Sequence, residues 1–161
     1  MHVVFALLLA AGAAFVWWSS GSLPDPVASH FDARGTANGT LSLEAYRVFM
    51  TGLVVLVPAL LYALGGLAAR LPVRFVNLPN RSHWLAPERR AATLQSLSTF
   101  GAWAALATLA LLCGVHALVV HANAAHPPHL DAAPVAAAVG AYLVVLLVGM
   151  FAVLRRFLRG P

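Results

Sequence analysis

Four histidines and one aspartate fall within residues 116–131 of the chain, HALVVHANAAHPPHLD. Imidazole and carboxylate groups are ligands for zinc and copper, so this segment has the residue types of a metal site. The spacing matches no defined site, because the five-residue step from His116 to His121 places the two side chains on different faces of a helix. We expect polar histidines at the membrane surface. The alternative is a metal site, whose candidate ligands are His116, His121, His126, His129 and Asp131.

His116 differs from the other histidines because apolar residues surround it in the sequence. A polar side chain in such a run is suited to bonding with a neighbouring helix, which is our expectation here. Ligation of a haem is the alternative. An earlier loop adds Asp25, His30 and Asp32. If the two loops met on one side of the molecule, they would bring these ligand types together.

That earlier loop, LPDPVASHFDARGTANG at residues 23–39, is rich in residues that restrict the backbone. Pro24 and Pro26 favour an extended path, and Ala33–Gly35 and Asn38–Gly39 are turn signals. Ser42 follows as a candidate N-cap of the next helix. This pattern predicts an ordered loop suited to contacting a partner, with a plain connector as the alternative. The candidate contact residues are Pro24, Pro26, His30, Phe31, Asp32, Gly35, Asn38 and Gly39.

A third polar segment, at residues 70–96, carries a different set of signals. Pro87 and Glu88 predict the start of a helix, since proline suits the first helical position and an acid suits the first turn. Tryptophan and arginine side chains suit the anionic surface of a membrane. We expect a lipid-facing anchor, with docking of a cytoplasmic partner as the alternative, for the motif of Asn77, Leu78, Pro79, Asn80, Trp84, Arg89 and Arg90.

The elements that hold these loops are strongly apolar. Hydrophobic residues make up 61% of the chain and charged residues 9%, against about 45–50% and about 25% in soluble domains. Such a chain belongs in a bilayer, where roughly 20 apolar residues form one span. We predict helices at 2–20, 46–69, 97–121 and 134–156, the first of them retained rather than cleaved. The net charge is +5, but the arginines lie beside apolar segments and do not form the basic face that binding of nucleic acid requires.

The placement of the arginines predicts the orientation of these spans. Two arginines, Arg34 and Arg47, lie on one side, and the other eight lie on the opposite side. An excess of arginine marks the cytoplasmic side, so both termini and the loop at 70–96 are expected there, with the loops at 21–45 and 122–133 outside. The sequence therefore predicts one all-α integral membrane domain over 1–161, an antiparallel bundle of four transmembrane helices. The eight arginines are Arg70, Arg74, Arg81, Arg89, Arg90, Arg155, Arg156 and Arg159.

The predicted spans contain no Asp, Glu, Lys or Arg away from their ends. Ion and proton paths usually need such groups within the bilayer. An intramembrane enzyme needs a nucleophile with a base, or a cluster of carboxylates. Only His116 and Cys113 could titrate at depth near neutral pH. We therefore expect neither a transporter nor an enzyme, and no cofactor.

Two of the loops resemble a bacterial membrane domain of uncharacterised function, which also occurs at the N-terminus of immunity proteins for the sporulation-delaying toxin. Leu23-Pro24, His30-Phe31, Gly35 and Asn38-Gly39 are similar to the family pattern of Leu-Pro, Val-Pro-x-His-Phe and Gly-x-x-Asp-Gly. The segments NLPN, WL and PERR within residues 77–90 are similar to the inner loop of small members. The resemblance implies a multi-pass protein of the bacterial inner membrane, in a family associated with sensing or sequestering an extracytoplasmic peptide.

Three functions follow as hypotheses. The first is a non-enzymatic binding or accessory protein, whose ordered outer loop contacts an extracytoplasmic peptide or another membrane protein. The second is a toxin-immunity or signalling protein. The third is a redox subunit that carries zinc, copper or haem on its outer histidines.

Overall fold

The computed structural model describes residues 2–68, 70 and 72–158, so that Arg159 lies outside the described residues. Among the described residues, the four long helices are each long and apolar enough to cross a bilayer. The predicted helical class and the number of candidate spans are thus confirmed. In chain order the helices are α1 (His2–Ser19), α2 (Leu43–Ala68), the short α3 (Arg81–Trp84), α4 (Pro87–Ala124) and α5 (Ala132–Leu158).

Two helix starts follow the local signals in the sequence. The Ser42 hydroxyl accepts the Ala45 N–H at 3.2 Å, which caps α2 as predicted. Helix α4 begins at Pro87, with Glu88 in its first turn. This is the start that Pro87 and Glu88 predict, and the span predicted from residue 97 is the later part of the same helix, because the helix extends beyond the apolar run into the polar segment.

Helices α2 and α4 approach each other closely at a pair of glycines, Gly65 and Gly101. A Cβ atom added to Gly101 would lie 2.6 Å from the Cα atom of Gly65, so neither position has room for a side chain. Helix α1 lies against both helices at Gly12, whose added Cβ would meet side chains of Val54 and Leu109 at 2.9 and 3.1 Å. Small residues thus permit the close packing that replaces hydrophobic driving force within lipid.

Helix α5 is the peripheral element of the molecule. It packs mainly along α4, and none of the residues in its most apolar stretch is buried. The main core instead lies between α1, α2 and α4 and includes Val16, Val54 and Leu109. One flank of the molecule is therefore formed by a single helix with an exposed apolar face.

The loop between α1 and α2 forms an antiparallel hairpin of β1 (Val27–Phe31) and β2 (Ala37–Leu41). The prediction of an all-α chain was therefore wrong for this segment. The predicted turn at Ala33–Gly35 is confirmed, since Gly35 has a φ of +81°, a value that L-residues with side chains rarely adopt.

The second predicted turn, at Asn38–Gly39, was wrong because both residues belong to β2. Gly39 pairs with His30 across the hairpin, where the register is irregular. A Cβ added to Gly39 would lie only 3.1 Å from the His30 Cβ. The glycine therefore accommodates a crowded cross-strand pair, and its small size, not a positive φ, suits it to this position.

Candidate functional site

The hairpin and the loop between α4 and α5 join into one unit, which we call the hairpin cap (residues 23–41 and 122–131). Its central link is Asn123, which is buried near the end of α4. The Asn123 Oδ1 accepts the Ala28 N–H at 2.9 Å, and its Nδ2 donates to the Ala28 carbonyl at 2.9 Å. Nδ2 also donates to the Val119 carbonyl at 2.9 Å. The amide therefore pairs with both the N–H and the carbonyl of Ala28, as the backbone of a neighbouring strand would.

A second link lies at the hairpin turn. The Leu130 N–H donates to the Gly35 carbonyl at 2.9 Å, and Thr36 forms an isolated β-bridge with His129. A Cβ at Gly35 would overlap the Leu130 carbonyl oxygen. Gly35 is therefore required twice, by its positive φ and by the close approach of the second loop.

Asp32 serves the turn itself. Its Oδ1 accepts the N–H groups of Arg34 at 2.8 Å and of Thr36 at 2.9 Å. The backbone closes the same turn, with the Gly35 N–H donating to the Asp32 carbonyl at 3.0 Å. An aspartate that accepts bonds from the following backbone is a standard way to fix a turn.

The structure divides the predicted contact residues into two groups. Gly35 is buried, and Phe31 and Gly39 are half-buried, so these positions shape the hairpin. The other members, including the turn-forming Asp32, are exposed. Asp25, next to the two prolines, accepts the Leu43 N–H at 3.2 Å and ties the hairpin to the start of α2. The exposed members are Pro24, Pro26, His30, Asp32 and Asn38.

A polar triad lies directly beneath the hairpin cap. His116 on α4 is completely buried; its Nε2 lies 2.7 Å from the Ser19 Oγ on α1, and its Nδ1 lies 2.8 Å from the Tyr46 Oη on α2. The Ser19 hydroxyl also donates to the Phe15 carbonyl at 2.6 Å. The expected hydrogen bond from His116 to a neighbouring helix is confirmed, and the histidine in fact links three helices.

The remaining histidines are not gathered around one point. His121 and His126 are exposed, and the His129 Nε2 lies 3.6 Å from the Asp131 Oδ1 at the surface. Within the ranges that the structure describes, no three His, Cys, Asp or Glu side chains are grouped closely enough to hold a metal ion.

At the opposite end of the molecule, part of the motif within residues 77–90 binds the end of α5. The Asn80 Nδ2 and the Trp84 Nε1 both donate to the Phe157 carbonyl, at 3.2 and 3.0 Å. The Phe157 ring is completely buried and packs edge-on against Trp84 at 5.5 Å between centroids. Since the last carbonyls of a helix have no partner within the helix, these two side chains satisfy one of them.

The other members of this motif have separate places. Leu78 packs onto a small cluster around Leu85. Arg89 contacts His83 at 3.3 Å. Pro79 is half-buried, whereas Asn77 and Arg90 are exposed.

Sequence reasoning missed Asn123, Ser19 and Tyr46, which complete the cap and the triad. A weak signal was present, because Asn123 is an amide at the end of an apolar helix, where an unpaired polar group would be costly. Its partner, Ala28, is remote in sequence and carries no polar side chain. That link was therefore invisible without the fold.

No family model matches the chain, and no curated protein or solved structure is significantly similar to it. The resemblance to the bacterial membrane domain accordingly stays a prediction, and the function has to be argued from the geometry of the chain itself.

Proposed function

We propose that this chain is a non-enzymatic accessory protein of the bacterial inner membrane, whose hairpin cap faces outward and contacts a peptide or another membrane protein. The observation that carries the proposal is the joining of two remote loops through the Asn123 amide. A loop that only connects two helices needs neither this link nor the one from Leu130 to Gly35. The cap is therefore better explained as a surface held ready for binding.

Rigidity matters for such a role because a partner that binds a preformed surface avoids much of the entropic cost of ordering it. The hairpin is anchored from below by Val27, which is completely buried. Above it, His30 and Asn38 remain exposed on the two strands, and Pro24 and Pro26 are exposed before them. Rings and amides on a fixed backbone suit the recognition of a peptide or protein segment.

The arginine bias supports the proposed orientation. At the end away from the cap, the described arginines are spread over the loop and the end of α5, whereas the cap end has Arg34 and Arg47. Such an excess favours retention of that end in the cytoplasm. Labelling with an impermeant maleimide checks the orientation, in a Cys113→Ser background that carries either His30→Cys or Asn77→Cys.

We expect His30→Cys to react in intact cells and Asn77→Cys to react only after lysis. The reverse pattern would place the cap in the cytoplasm and would remove the outward-facing part of the proposal.

A partner is sought by purification from the native membrane in a mild detergent. The test variant combines His30→Ala with Asn38→Ala, and the matched control combines His83→Ala with Asn77→Ala at the opposite end. The few residues that dominate an interface each cost more than about 1 kcal/mol when truncated, and the proposal places His30 and Asn38 among them. We therefore expect recovery of the partner to fall about tenfold or more in the test variant and to stay unchanged in the control.

Two outcomes contradict this function. One is a chain that purifies without any stoichiometric companion under gentle conditions. The other is an equal loss of the companion in the test and control variants.

A further inference from the structure

A groove runs along the exposed side of the molecule between α4 and α5. Its volume is about 630 Å³, and its walls are mostly apolar. Phe100 and Trp103 contribute from α4, and Val145 and Val148 contribute from α5. Phe100 packs over Gly149, where an added Cβ would lie 3.0 Å from the ring. A groove of this kind on a membrane-spanning face is open to the acyl chains of the bilayer.

At the end away from the hairpin cap, the groove meets a pair of arginines. Arg155 and Arg156 line an adjoining cavity of about 620 Å³ together with Trp84, and Val148 lines both cavities. Arg156 donates to the hydroxyl of Ser96, which lies in the wall of the first groove. The apolar groove thus borders a basic mouth, with Val148 shared between the two cavities.

Among the described residues, no acidic side chain neutralises the charge of this mouth. Both arginines are exposed, and among the described residues no carboxylate lies within salt-bridge distance of either one. The guanidinium of Arg156 also lies 5.8 Å from the centroid of the Trp84 ring. Arginine binds phosphate oxygens well, and tryptophan prefers the level of the lipid headgroups.

The dimensions match one leaflet. From Val144 to Arg155, α5 rises by roughly 16 Å at 1.5 Å per residue, and half of a bilayer core is about 15 Å. A headgroup at the arginines would therefore leave one acyl chain long enough to follow the groove to its far end.

We propose that the α4–α5 groove and its arginine pair form a binding site for one anionic phospholipid. The phosphate contacts Arg155 and Arg156, and an acyl chain lies along the groove past Val148. Basic pockets beside membrane helices are known to hold such headgroups. This site lies at the other end of the molecule from the hairpin cap and does not depend on the function proposed there.

The native tryptophans allow a direct test. A Trp17→Phe/Trp18→Phe protein keeps Trp84 and Trp103, which line the two cavities, as its fluorescent reporters. It is reconstituted into phosphatidylcholine vesicles that contain increasing fractions of dibrominated phosphatidylglycerol or dibrominated phosphatidylcholine. Bromine quenches tryptophan at short range, so the two titrations yield the relative association of the anionic and the neutral lipid.

We expect the anionic lipid to associate about tenfold more strongly. Arg155→Gln/Arg156→Gln should bring the ratio close to one, whereas Arg70→Gln/Arg74→Gln, which removes the same charge at exposed positions outside the groove, should keep it. Val148→Phe, which narrows the groove at an exposed position, should lower the association without removing charge.

Three results would overturn the site. Equal quenching by the two lipids in the starting protein would show no preference, and a preference that survives Arg155→Gln/Arg156→Gln would place the lipid elsewhere. An equal loss in the Arg70→Gln/Arg74→Gln control would show a diffuse attraction without a defined site.

Discussion

At each end of the molecule, side chains form hydrogen bonds to backbone groups of another element, but the two ends differ in the number of side chains and backbone groups involved. At the cap end, Asn123 reaches from α4 and satisfies both backbone groups of Ala28 in a buried place. At the opposite end, Asn80 and Trp84 donate together to the Phe157 carbonyl at the end of α5. The first arrangement joins two loops through one side chain, and the second holds one helix end through two.

The difference determines how much stability a single substitution should remove at each end. A single amide that serves two buried backbone groups has no substitute, because losing it strands a donor and an acceptor away from water. Where two donors bind one carbonyl, the loss of either donor leaves the carbonyl with one hydrogen bond, so a single substitution costs less free energy of unfolding. We therefore expect large effects from single changes at the cap and small ones at the opposite end.

The largest effect is expected from Asn123→Leu. Leucine approximates the size of asparagine but leaves the Ala28 N–H and carbonyl unpaired, at about 1–3 kcal/mol for each buried group. The free energy of local opening of residues 27–41 should fall by about 4 kcal/mol, as measured by hydrogen exchange of the reconstituted protein. Asn77→Leu, an exposed amide at the other end, is the control and should change it by less than about 0.5 kcal/mol.

An intermediate effect is expected from Gly35→Ala. The substitution places a Cβ at a φ of +81° and against the Leu130 carbonyl, and the backbone strain alone costs about 1–2 kcal/mol. Exchange should accelerate in both parts of the hairpin cap, including residues 122–131. Gly52→Ala, where an added Cβ meets nothing within 4 Å, should leave exchange in the cap unchanged. Slow exchange in residues 122–131 of Gly35→Ala would show that the two loops are held independently.

The smallest effect is expected from single changes at the opposite end. Asn80→Gly, which suits the φ of +51° at this position, and Trp84→Phe each remove one of the two donors to Phe157, at about 1 kcal/mol or less. The double variant should lose more than the sum of the two, because the carbonyl then has neither partner. Thermal unfolding of the four proteins in the same detergent provides the comparison. If the stability loss of the double variant equals the sum of the two single losses, the two donors do not substitute for each other at the Phe157 carbonyl.

Much of the helical framework could be predicted because its signals are local. Long apolar runs require spans, and Pro87 and Ser42 mark helix starts by their own chemistry. The hairpin could not be predicted in the same way. Its strands are five residues long and lack clear alternation, and Gly39 carries a turn signal although it actually relieves crowding beside His30.

The site was predicted in part. The exposed loop residues were visible as a group because proline, glycine and aspartate restrict the backbone near one another. The bonds that turn this loop into a cap come from Asn123 and Leu130. These bonds depend on the packing of α4 and α5, and no local pattern in residues 23–39 encodes them.

The triad beneath the cap has a consequence for how the helices find their alignment. Sliding α4 by one turn past its neighbours would displace His116 by about 5.4 Å and leave its ring and the Tyr46 hydroxyl without the hydrogen bonds that join them. Apolar contacts tolerate such a shift far better, because one methyl group replaces another at little cost. Three polar side chains at one depth thus favour a single axial alignment of α1, α2 and α4, and that alignment holds Asn123 level with the strand to which it is hydrogen-bonded.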